Sequence, residues 1–254
     1  EKIMEKINIK PSKYQIAGQK AYLETKSNLL IKAVAGSGKT TFLRMLLELT
    51  PVDKDSMFVA FNKHIVSDLK DKIPQTKNIT IGTLHSRGYQ AICINHRGKV
   101  KLDDWKTFQI TKKLVASQWK DVPKKKLNTK IYNITQFYDL YRLTNQSNFD
   151  NFDDIVDKYN LNVTREDIPK IKQVLWEVNI YNENHNKHPE FLIDFVDMIY
   201  LPIHLNLPIK QVDVLMVDEC QDLSALQHIF VKRMLRKEGR IVYVGDPFQS
   251  VYGF

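Results

Sequence analysis

The sequence contains little cysteine and no long hydrophobic run. Its two cysteines, Cys93 and Cys220, lie far apart and lack the spacing of metal ligands, so we expect free thiols in a reducing compartment, by default the cytoplasm. No apolar stretch approaches the roughly 20 residues that a membrane-spanning helix requires. The amino-terminal residues also lack the hydrophobic core of a signal peptide. These absences argue against a disulfide-stabilised, zinc-binding or membrane-spanning protein.

The remaining composition is that of a globular protein with an excess of positive charge. Its 254 residues suffice for one large or two ordinary domains, and 43% hydrophobic with 26% charged residues are ordinary proportions. The net charge of +9 favours a polyanionic partner. Residues 101–130 hold nine lysines and three aspartates, so this stretch alone carries +6. A solvated lysine-rich surface would have the same composition, so nucleic acid needs support from other elements.

Residues 28–41 have the pattern of a phosphate-binding loop between a strand and a helix. Glycines in the loop allow the backbone to approach a polyphosphate, and the first amides of the following helix face the anion. Lys39 can place its charge on the terminal phosphates, and the Thr40 hydroxyl can bind Mg²⁺. Ala33 stands where the consensus has its first glycine, which leaves open a simple turn of small residues. The predicted nucleotide-binding residues of the loop are Ala33, Val34, Ala35, Gly36, Ser37, Gly38, Lys39, Thr40 and Thr41.

Short apolar runs alternate with amphipathic segments near both ends of the chain. Strands alternating with helices in this way predict an α/β domain with a parallel sheet. The predicted strands lie near residue 30 and at 56–61, 79–83, 211–217 and 240–244.

The middle of the chain has a different pattern. Apolar residues there recur at helical spacing without strand-like alternation, so we predict an all-helical insertion in which residues 190–200 are also helical. Its aromatic side chains are expected to form its core. The predicted domains are 1–97 and 205–254, which together form the α/β domain, and 98–204, which forms the insertion.

Polar residues follow the last two predicted strands. Asp218 and Glu219 come directly after the strand at 211–217, and Gln249 follows the strand at 240–244. Ligands bind at the carboxyl edge of a parallel sheet, and the phosphate-binding loop lies at the same edge. Asp218 can therefore hold Mg²⁺, Glu219 can accept a proton from an attacking water, and Gln249 can reach the terminal phosphate. A solvated acidic pair at a strand end is the alternative for Asp218 and Glu219.

Five short motifs occur in one order along the chain. They are residues 33–40, Phe61-Asn62-Lys63, Thr83-Leu84-His85-Ser86, Asp218-Glu219-Cys220-Gln221-Asp222 and residues 245–252. Together they resemble the amino-terminal half of a superfamily 1 DNA helicase of the UvrD/PcrA/Rep type, in its phage or bacterial UvrD-like branch. The resemblance implies a RecA-like P-loop NTPase domain, called 1A in the family, with an inserted helical subdomain 1B. It also implies ATP and Mg²⁺ as cofactors and 3′→5′ movement on single-stranded DNA or a partial duplex.

The functional residues of the family can be assigned at matching positions. Gln15 resembles the glutamine that reads adenine, Asp218 the magnesium ligand and Glu219 the catalytic base. Gln249 resembles the γ-phosphate sensor that couples hydrolysis to DNA. The residues that resemble the single-stranded DNA track are Phe61, Asn62, Lys63, Thr83, His85, Tyr252 and Phe254. Packing in the protein core is the alternative for each aromatic ring among them.

Nothing in the sequence matches the later motifs of the family. We therefore predict that residues 1–254 belong to a longer helicase and lack the second RecA-like domain with its arginine fingers. Alone, they should hydrolyse ATP slowly. A truncated or degenerate module that binds nucleotide or DNA without turnover is the main alternative. A GTPase switch is disfavoured, because Asn62-Lys63-His64-Ile65 lacks the aspartate that selects guanine.

Overall fold

The computed structural model describes residues 10–34, 36–60, 63–73, 78–116, 123–145, 149–246 and 248. The chain divides into two compact units. Unit 1 contains Glu1–Arg87, Ile209–Leu223 and Gln227–Phe254, and unit 2 contains Gly88–Pro208 and Ser224–Leu226. The domain limits expected from the sequence, between 97 and 98 and between 204 and 205, stay predictions.

Strands and helices alternate along the described part of the chain. The strands are β1 (Leu29–Lys32), β2 (Ser56–Val59), β3 (Ile79–Gly82), β4 (Lys99–Leu102), β5 (Glu190–Ile193), β6 (Val212–Val217) and β7 (Leu235–Gly245). The helices are α1 (Lys13–Glu24), α2 (Lys39–Leu49), α3 (Lys63–Lys72), α4 (Leu84–Asn95), α5 (Lys106–Ala116), α6 (Lys124–Thr144), α7 (Phe152–Tyr159), α8 (Ile168–Glu183), α9 (Asp197–His204) and α10 (Ala225–Arg233). Among the described residues, no helix is long and apolar enough to cross a bilayer.

The sheet of unit 1 has five strands in the order β1-β7-β6-β2-β3, and every neighbouring pair is parallel. This confirms the predicted α/β class with a parallel sheet. All residues of β2 are buried, and so are all but Asp213 in β6, as expected for strands covered on both faces. Because β1, β7 and β6 are neighbours, the segments after Lys32, Gly245 and Val217 leave the same edge of the sheet side by side.

An apolar cluster joins helix α2 to this sheet. It contains Leu43 and Leu46 from α2, Phe58 from β2, Met216 from β6 and Val244 from β7, and all five side chains are fully buried. Burying an apolar side chain of this size stabilises the fold by about 1.5–3 kcal/mol. The cluster therefore fixes α2 firmly against the strands whose ends carry the predicted site.

The core of unit 2 contains the aromatic residues of α6 and α7. Phe137, Tyr138, Tyr141 and Phe152 are at most 4% exposed. The ring centroids of Phe137 and Phe152 lie 4.7 Å apart. For these residues, the expectation that the aromatic side chains form a core is confirmed.

The insertion is not all-helical, contrary to the prediction from the sequence. Strands β4 and β5 pair in parallel along their whole length, and helix α9 begins only at Asp197. Residues 190–193, which were expected to be helical, form β5. Four-residue strands are too short to show a clear alternation, and each of these depends on a partner distant in the chain. Gly98 permits their close approach, since an added Cβ would lie 2.5 Å from the Pro189 carbonyl oxygen.

Unit 2 also contains an ion cluster, formed by Lys106, Arg142, Asp139, Asp194 and Asp197. Arg142 Nη1 donates to Asp197 Oδ1 at 2.7 Å, its Nη2 donates to Asp194 Oδ2 at 3.1 Å, and Lys106 Nζ donates to Asp197. The side chains of Arg142 and Asp197 are at most 1% exposed. Burial opposes ionisation of Asp194, but Arg142 and Lys106 outweigh it and lower the pKa of that carboxyl. Burial raises the pKa of Asp139 to about 6.

Candidate nucleotide-binding site

Two glycines shape the loop between β1 and α2. Gly36 and Gly38 have φ angles of +70° and +80°, in the left-handed region that side chains disfavour. A Cβ on Gly36 would meet no atom within 4 Å, so its φ rather than lack of space requires glycine. Gly38 is the N-cap of α2, and its carbonyl oxygen accepts the Phe42 N–H at 2.8 Å. The first amides of α2, which have no partner within the helix, therefore open beside the loop, as in helices that bind phosphate.

Lys39 and Thr40 reach the acidic residues that follow β6. Lys39 Nζ donates to Glu219 Oε2 at 2.9 Å, and Thr40 Oγ1 donates to Asp218 Oδ2 at 3.0 Å. The side chains of Lys39 and Glu219 are 9% and 28% exposed, so the pair borders solvent. Residues that are distant in the chain, and that the sequence predicts to share one site, thus lie within hydrogen-bonding distance of each other.

The backbone turns sharply where β6 ends. Glu219 has φ +51°, a left-handed conformation that costs a residue with a side chain roughly 1–2 kcal/mol. Its N–H donates to Asp218 Oδ1 at 3.0 Å. Asp218 is buried, and this burial raises its pKa although the Thr40 hydrogen bond opposes the shift. A buried carboxylate whose charge is incompletely compensated gains stability from a nearby cation.

Thr40 and Asp218 fit a magnesium ion. Mg²⁺ takes oxygen ligands and is usually held by one or two carboxylates together with substrate phosphates. Thr40 Oγ1 and Asp218 Oδ2 offer two oxygens, 3.0 Å apart, beside the loop. The described residues contain no group of three or more His, Cys, Asp or Glu side chains able to hold a metal ion. Two protein oxygens suit a cation that takes its other ligands from a polyphosphate and water.

A cavity of about 320 Å³ lies beside the loop and is lined by Ser12, Tyr14, Gln15 and Phe42, among others. Gln15 Oε1 accepts the Ser12 N–H at 2.9 Å, and Ser12 Oγ accepts the Gln15 N–H at 3.3 Å. These two bonds form a capping box that begins α1. A Cβ on Gly38 would lie 3.4 Å from Gln15 Nε2, so the amide group faces the loop. The side chain expected to read adenine thus lines the cavity and also caps a helix.

The other predicted loop residues connect the loop to its surroundings. Ala33 N–H donates to the Gly245 carbonyl oxygen at 3.0 Å, which ties the loop to the end of β7. Ser37 Oγ donates to the Val34 carbonyl oxygen at 2.6 Å, within the loop itself. Thr41 lies in the first turn of α2. Ala35 lies outside the described residues.

Gln221 takes part in the site, although no sequence pattern assigned it a role. Its Nε2 donates to Glu219 Oε2 at 2.9 Å, and its Oε1 accepts the Asp246 N–H at 3.1 Å. It therefore joins the segment after β6 to the segment after β7. The available signal was its place in the acidic motif, two residues after Glu219.

The predicted DNA track can be described only in part. Thr83 caps α4, because its Oγ1 accepts the Ser86 N–H at 3.1 Å while Ser86 Oγ accepts the Thr83 N–H at 3.2 Å. Burial lowers the pKa of His85 to about 4, so its ring is neutral at pH 7. The backbone of Lys63 begins α3, but its side chain is outside the described part. The other predicted residues beyond the described ranges are Phe61, Asn62, Gln249, Tyr252 and Phe254.

A sequence model of the UvrD/REP helicase N-terminal domain matches residues 15–254. The chain belongs to the UvrD/REP helicases. The match confirms the resemblance drawn from the five motifs and the RecA-like P-loop fold expected for the sheet of unit 1.

Bacterial and yeast proteins are similar to this UvrD/REP chain. YjcD of Bacillus subtilis (strain 168), named as a candidate ATP-dependent DNA helicase, is 24% identical over 268 residues, which cover 92% of this chain and 32% of YjcD. F-box DNA helicase protein 1 of Schizosaccharomyces pombe is 28% identical over 254 residues, or 93% of this chain and 28% of that protein. The ATP-dependent DNA helicase srs2 of the same yeast is 30% identical over 80 residues, or 32% of this chain and 9% of srs2. The chain thus spans less than a third of the length of these relatives.

Proposed function

We propose that the chain is the first motor domain of an ATP-dependent DNA helicase or translocase. The observation that carries the proposal is the convergence of two side-chain pairs, Lys39 with Glu219 at 2.9 Å and Thr40 with Asp218 at 3.0 Å. Hydrolysis of a nucleoside triphosphate needs three groups close together: a phosphate-binding loop, a carboxylate that binds the cation and a group that positions the attacking water. In this proposal, residues 1–97 and 205–254 form domain 1A, and residues 98–204 form the inserted subdomain 1B.

Each side chain of the two pairs has one proposed task. Lys39 leaves Glu219 and binds the terminal phosphates of ATP, because a polyphosphate carries more negative charge than one carboxylate. Thr40 and Asp218 hold Mg²⁺, which when bound neutralises charge on the phosphate oxygens. Glu219, released by Lys39, accepts the proton of the attacking water.

Two glutamines complete the proposed nucleotide site. Gln15 hydrogen-bonds adenine from its position beside the 320 Å³ cavity. Gln249, three residues after Asp246 in the sequence, contacts the γ-phosphate and senses its loss. Both roles are carried over from the UvrD/REP family at matching positions.

The proposed substrate is single-stranded DNA or a partial duplex, along which the motor moves 3′→5′. Aromatic rings in the track would stack on bases, and each stacked base would contribute about 1–3 kcal/mol to binding with little sequence preference. The net charge of +9 favours binding to the phosphate backbone. The proposed DNA-contacting residues are Phe61, Asn62, Lys63, Thr83, His85, Tyr252 and Phe254. Activity in the cytoplasm of a bacterial or phage-infected cell stays a prediction.

Nucleotide binding by a Lys39 variant tests the proposed role of the phosphate-binding loop. Lys39→Ala is expected to weaken the binding of a fluorescent ATP analogue to residues 1–254 by about tenfold or more, because a charge-assisted contact to phosphate is lost. Lys20→Ala changes a lysine that is 71% exposed on α1 and should have no effect. Equal binding by the two variants would contradict the proposed site.

Hydrolysis separates the motor from a binding module. In the full-length protein, single-stranded DNA is expected to stimulate ATP hydrolysis, and Lys39→Ala should abolish it. Nucleotide and DNA binding without any hydrolysis in the full-length protein would instead favour an interaction module without turnover.

A further inference from the structure

Gln221 forms a bridge between two segments that approach the nucleotide site from different strands. Its Nε2 donates to the Glu219 carboxylate at 2.9 Å, on the side of β6. Its Oε1 accepts the Asp246 backbone N–H at 3.1 Å, on the side of β7. A primary amide can donate to a carboxylate through its NH₂ group and accept from a backbone N–H through its oxygen at the same time.

The packing around Gln221 leaves little free space on the β7 side. A Cβ on Gly245 would lie 2.4 Å from Gln221 Oε1 and 2.8 Å from Cys220 Sγ, so only glycine lets the strand end come this close. A shift of the Gln221 side chain would break or strain its bond to the Asp246 N–H. The Asp246 backbone is therefore the part of the β7 end that depends directly on Gln221.

The β7 side of the bridge leads directly into a fixed turn. Asp246 is 3% exposed, and its Oδ1 accepts the Phe248 N–H at 3.0 Å. An aspartate that accepts an N–H two residues ahead forms an Asx-type turn with its own backbone. In the sequence, Gln249, for which a γ-phosphate contact is proposed above, comes three residues after Asp246.

The β6 side of the bridge shares its carboxylate with the loop lysine. Lys39 Nζ and Gln221 Nε2 both donate to Glu219 Oε2, each at 2.9 Å. If Lys39 moves onto the phosphates of a bound nucleotide, one of these two donors leaves the oxygen and Gln221 stays. The strength of the Glu219–Gln221 bond then depends on whether the site is loaded, because two donors no longer compete for one oxygen.

We propose that Gln221 is a positioning residue that couples nucleotide loading to the carboxyl end of β7. It holds Glu219 in place and transmits a change in the Glu219 environment to the Asp246 backbone. The inference rests on the proposed function, because it requires that Mg²⁺–ATP binds at Lys39, Thr40 and Asp218.

Backbone hydrogen exchange at Asp246 tests the bridge without relying on turnover. The probe is a non-hydrolysable ATP analogue with Mg²⁺. The variant is Gln221→Met, which keeps an unbranched side chain of similar length but removes the hydrogen bonds to Glu219, Asp222 and Asp246. In the unsubstituted protein, the analogue is expected to change the exchange rate of the Asp246 amide by about tenfold. In Gln221→Met, that amide should exchange about tenfold faster without ligand and should not respond to the analogue, while affinity for the analogue stays within about threefold.

Two further variants sharpen the test. Gln221→Glu keeps an acceptor for the Asp246 N–H but cannot donate to Glu219. In this variant the Asp246 amide should stay protected from exchange, but its exchange rate should no longer respond to the analogue. Gln211→Met is the matched control, since Gln211 is an exposed glutamine beside β6 that bonds only the Arg233 carbonyl oxygen at 3.3 Å among the contacts described. In Gln211→Met, the exchange rate of the Asp246 amide and its response to the analogue should match those of the unsubstituted protein.

Single-turnover ATP hydrolysis by the full-length protein provides the functional readout. Gln221→Met should slow hydrolysis by about ten- to one-hundred-fold at unchanged analogue affinity, because it loses the donor that positions Glu219. Gln221→Glu should also slow hydrolysis, and its added negative charge should weaken analogue binding as well. A Gln221→Met protein whose Asp246 amide still responds to the analogue, or which hydrolyses ATP at the normal rate, would overturn the coupling alone. If the unsubstituted protein bound no analogue, the proposed function would fail and the coupling with it.

Discussion

The nucleotide site of unit 1 and the ion cluster of unit 2 both pair cations with carboxylates, but they differ in burial and in backbone geometry. In the ion cluster, Arg142 and Asp197 are at most 1% exposed and each makes several strong contacts. In the nucleotide site, the Glu219 side chain is 28% exposed and shares one oxygen between two donors.

Backbone conformation separates the two regions as well. The nucleotide site contains Gly36, Gly38 and Glu219 in left-handed conformations. No residue of the ion cluster has a positive φ. Strained backbone persists where the surrounding structure holds it, and it is common at sites that bind ligands. Paired charges are common to both regions; the candidate nucleotide site differs by the partial exposure of Glu219, by its left-handed backbone and by the adjacent cavity.

Removing Arg142 is the largest perturbation that we expect. Arg142→Met leaves Asp139, Asp194 and Asp197 with Lys106 alone, and breaking a buried ion pair in this way costs about 3–5 kcal/mol. All three tryptophans, at 105, 119 and 176, belong to unit 2, so urea unfolding followed by tryptophan fluorescence reports on this unit.

A matched control for Arg142 is available within the same unit. Arg165 forms an exposed pair with Asp153, and its side chain is 63% exposed. Arg165→Met should lower the free energy of unfolding by about 1 kcal/mol or less. Equal losses for the two variants would show that the ion cluster contributes no more than a surface pair.

Neutralising Glu219 should have the opposite effect to removing Arg142: ATP hydrolysis should fall while stability stays the same. Glu219→Gln keeps the size of the side chain but removes the proton acceptor, so ATP hydrolysis is expected to fall by about 10²–10³-fold while nucleotide still binds. The free energy of unfolding measured by tryptophan fluorescence should not change. Glu24→Gln, on the exposed surface of α1, serves as the control for the loss of one negative charge. Normal hydrolysis by Glu219→Gln would remove this residue from the proposed mechanism.

Titration of Asp139 should give the smallest effect. Burial raises its pKa to about 6 from an ordinary value of 3.8, so the folded protein retains a proton that the unfolded chain releases at lower pH. The free energy of unfolding should therefore decrease as pH rises from about 4 to about 6. The side chain is 35% exposed, and solvent screening limits the change to about 1 kcal/mol.

The variant Asp139→Asn isolates this contribution. Tryptophan-detected unfolding, measured on both proteins across the same pH range, should show a flatter dependence for the variant. Identical pH dependence in the two proteins would contradict the raised pKa of Asp139.

The sequence predicted the parts of the site that follow from local pattern. The loop at residues 33–41 and the acidic residues after β6 are recognisable because small residues, apolar runs and strand ends are short-range features. Their convergence followed from the rule that parallel strands end at one edge of the sheet. The prediction of a parallel α/β sheet was confirmed for the same reason.

Features that depend on distant contacts could not be predicted in this way. The Gln221 bridge exists because β6 and β7 are neighbours, which no short-range pattern reveals. The left-handed backbone of Glu219 was not predicted either, because residues other than glycine seldom adopt it. The pairing of β4 with β5 was missed because each strand is short and its partner is distant in the chain. The capping role of Gln15, in contrast, follows from local pattern, because Ser12 and Gln15 have the spacing of a capping box.

The most direct test of the central claim is an experimental structure of the chain with Mg²⁺ and a non-hydrolysable ATP analogue. The account predicts that Lys39 Nζ leaves Glu219 for the terminal phosphate and that the cation lies between Thr40 Oγ1 and Asp218. An analogue bound elsewhere, or one bound beside the loop while the Lys39–Glu219 contact stays at 2.9 Å, would contradict it.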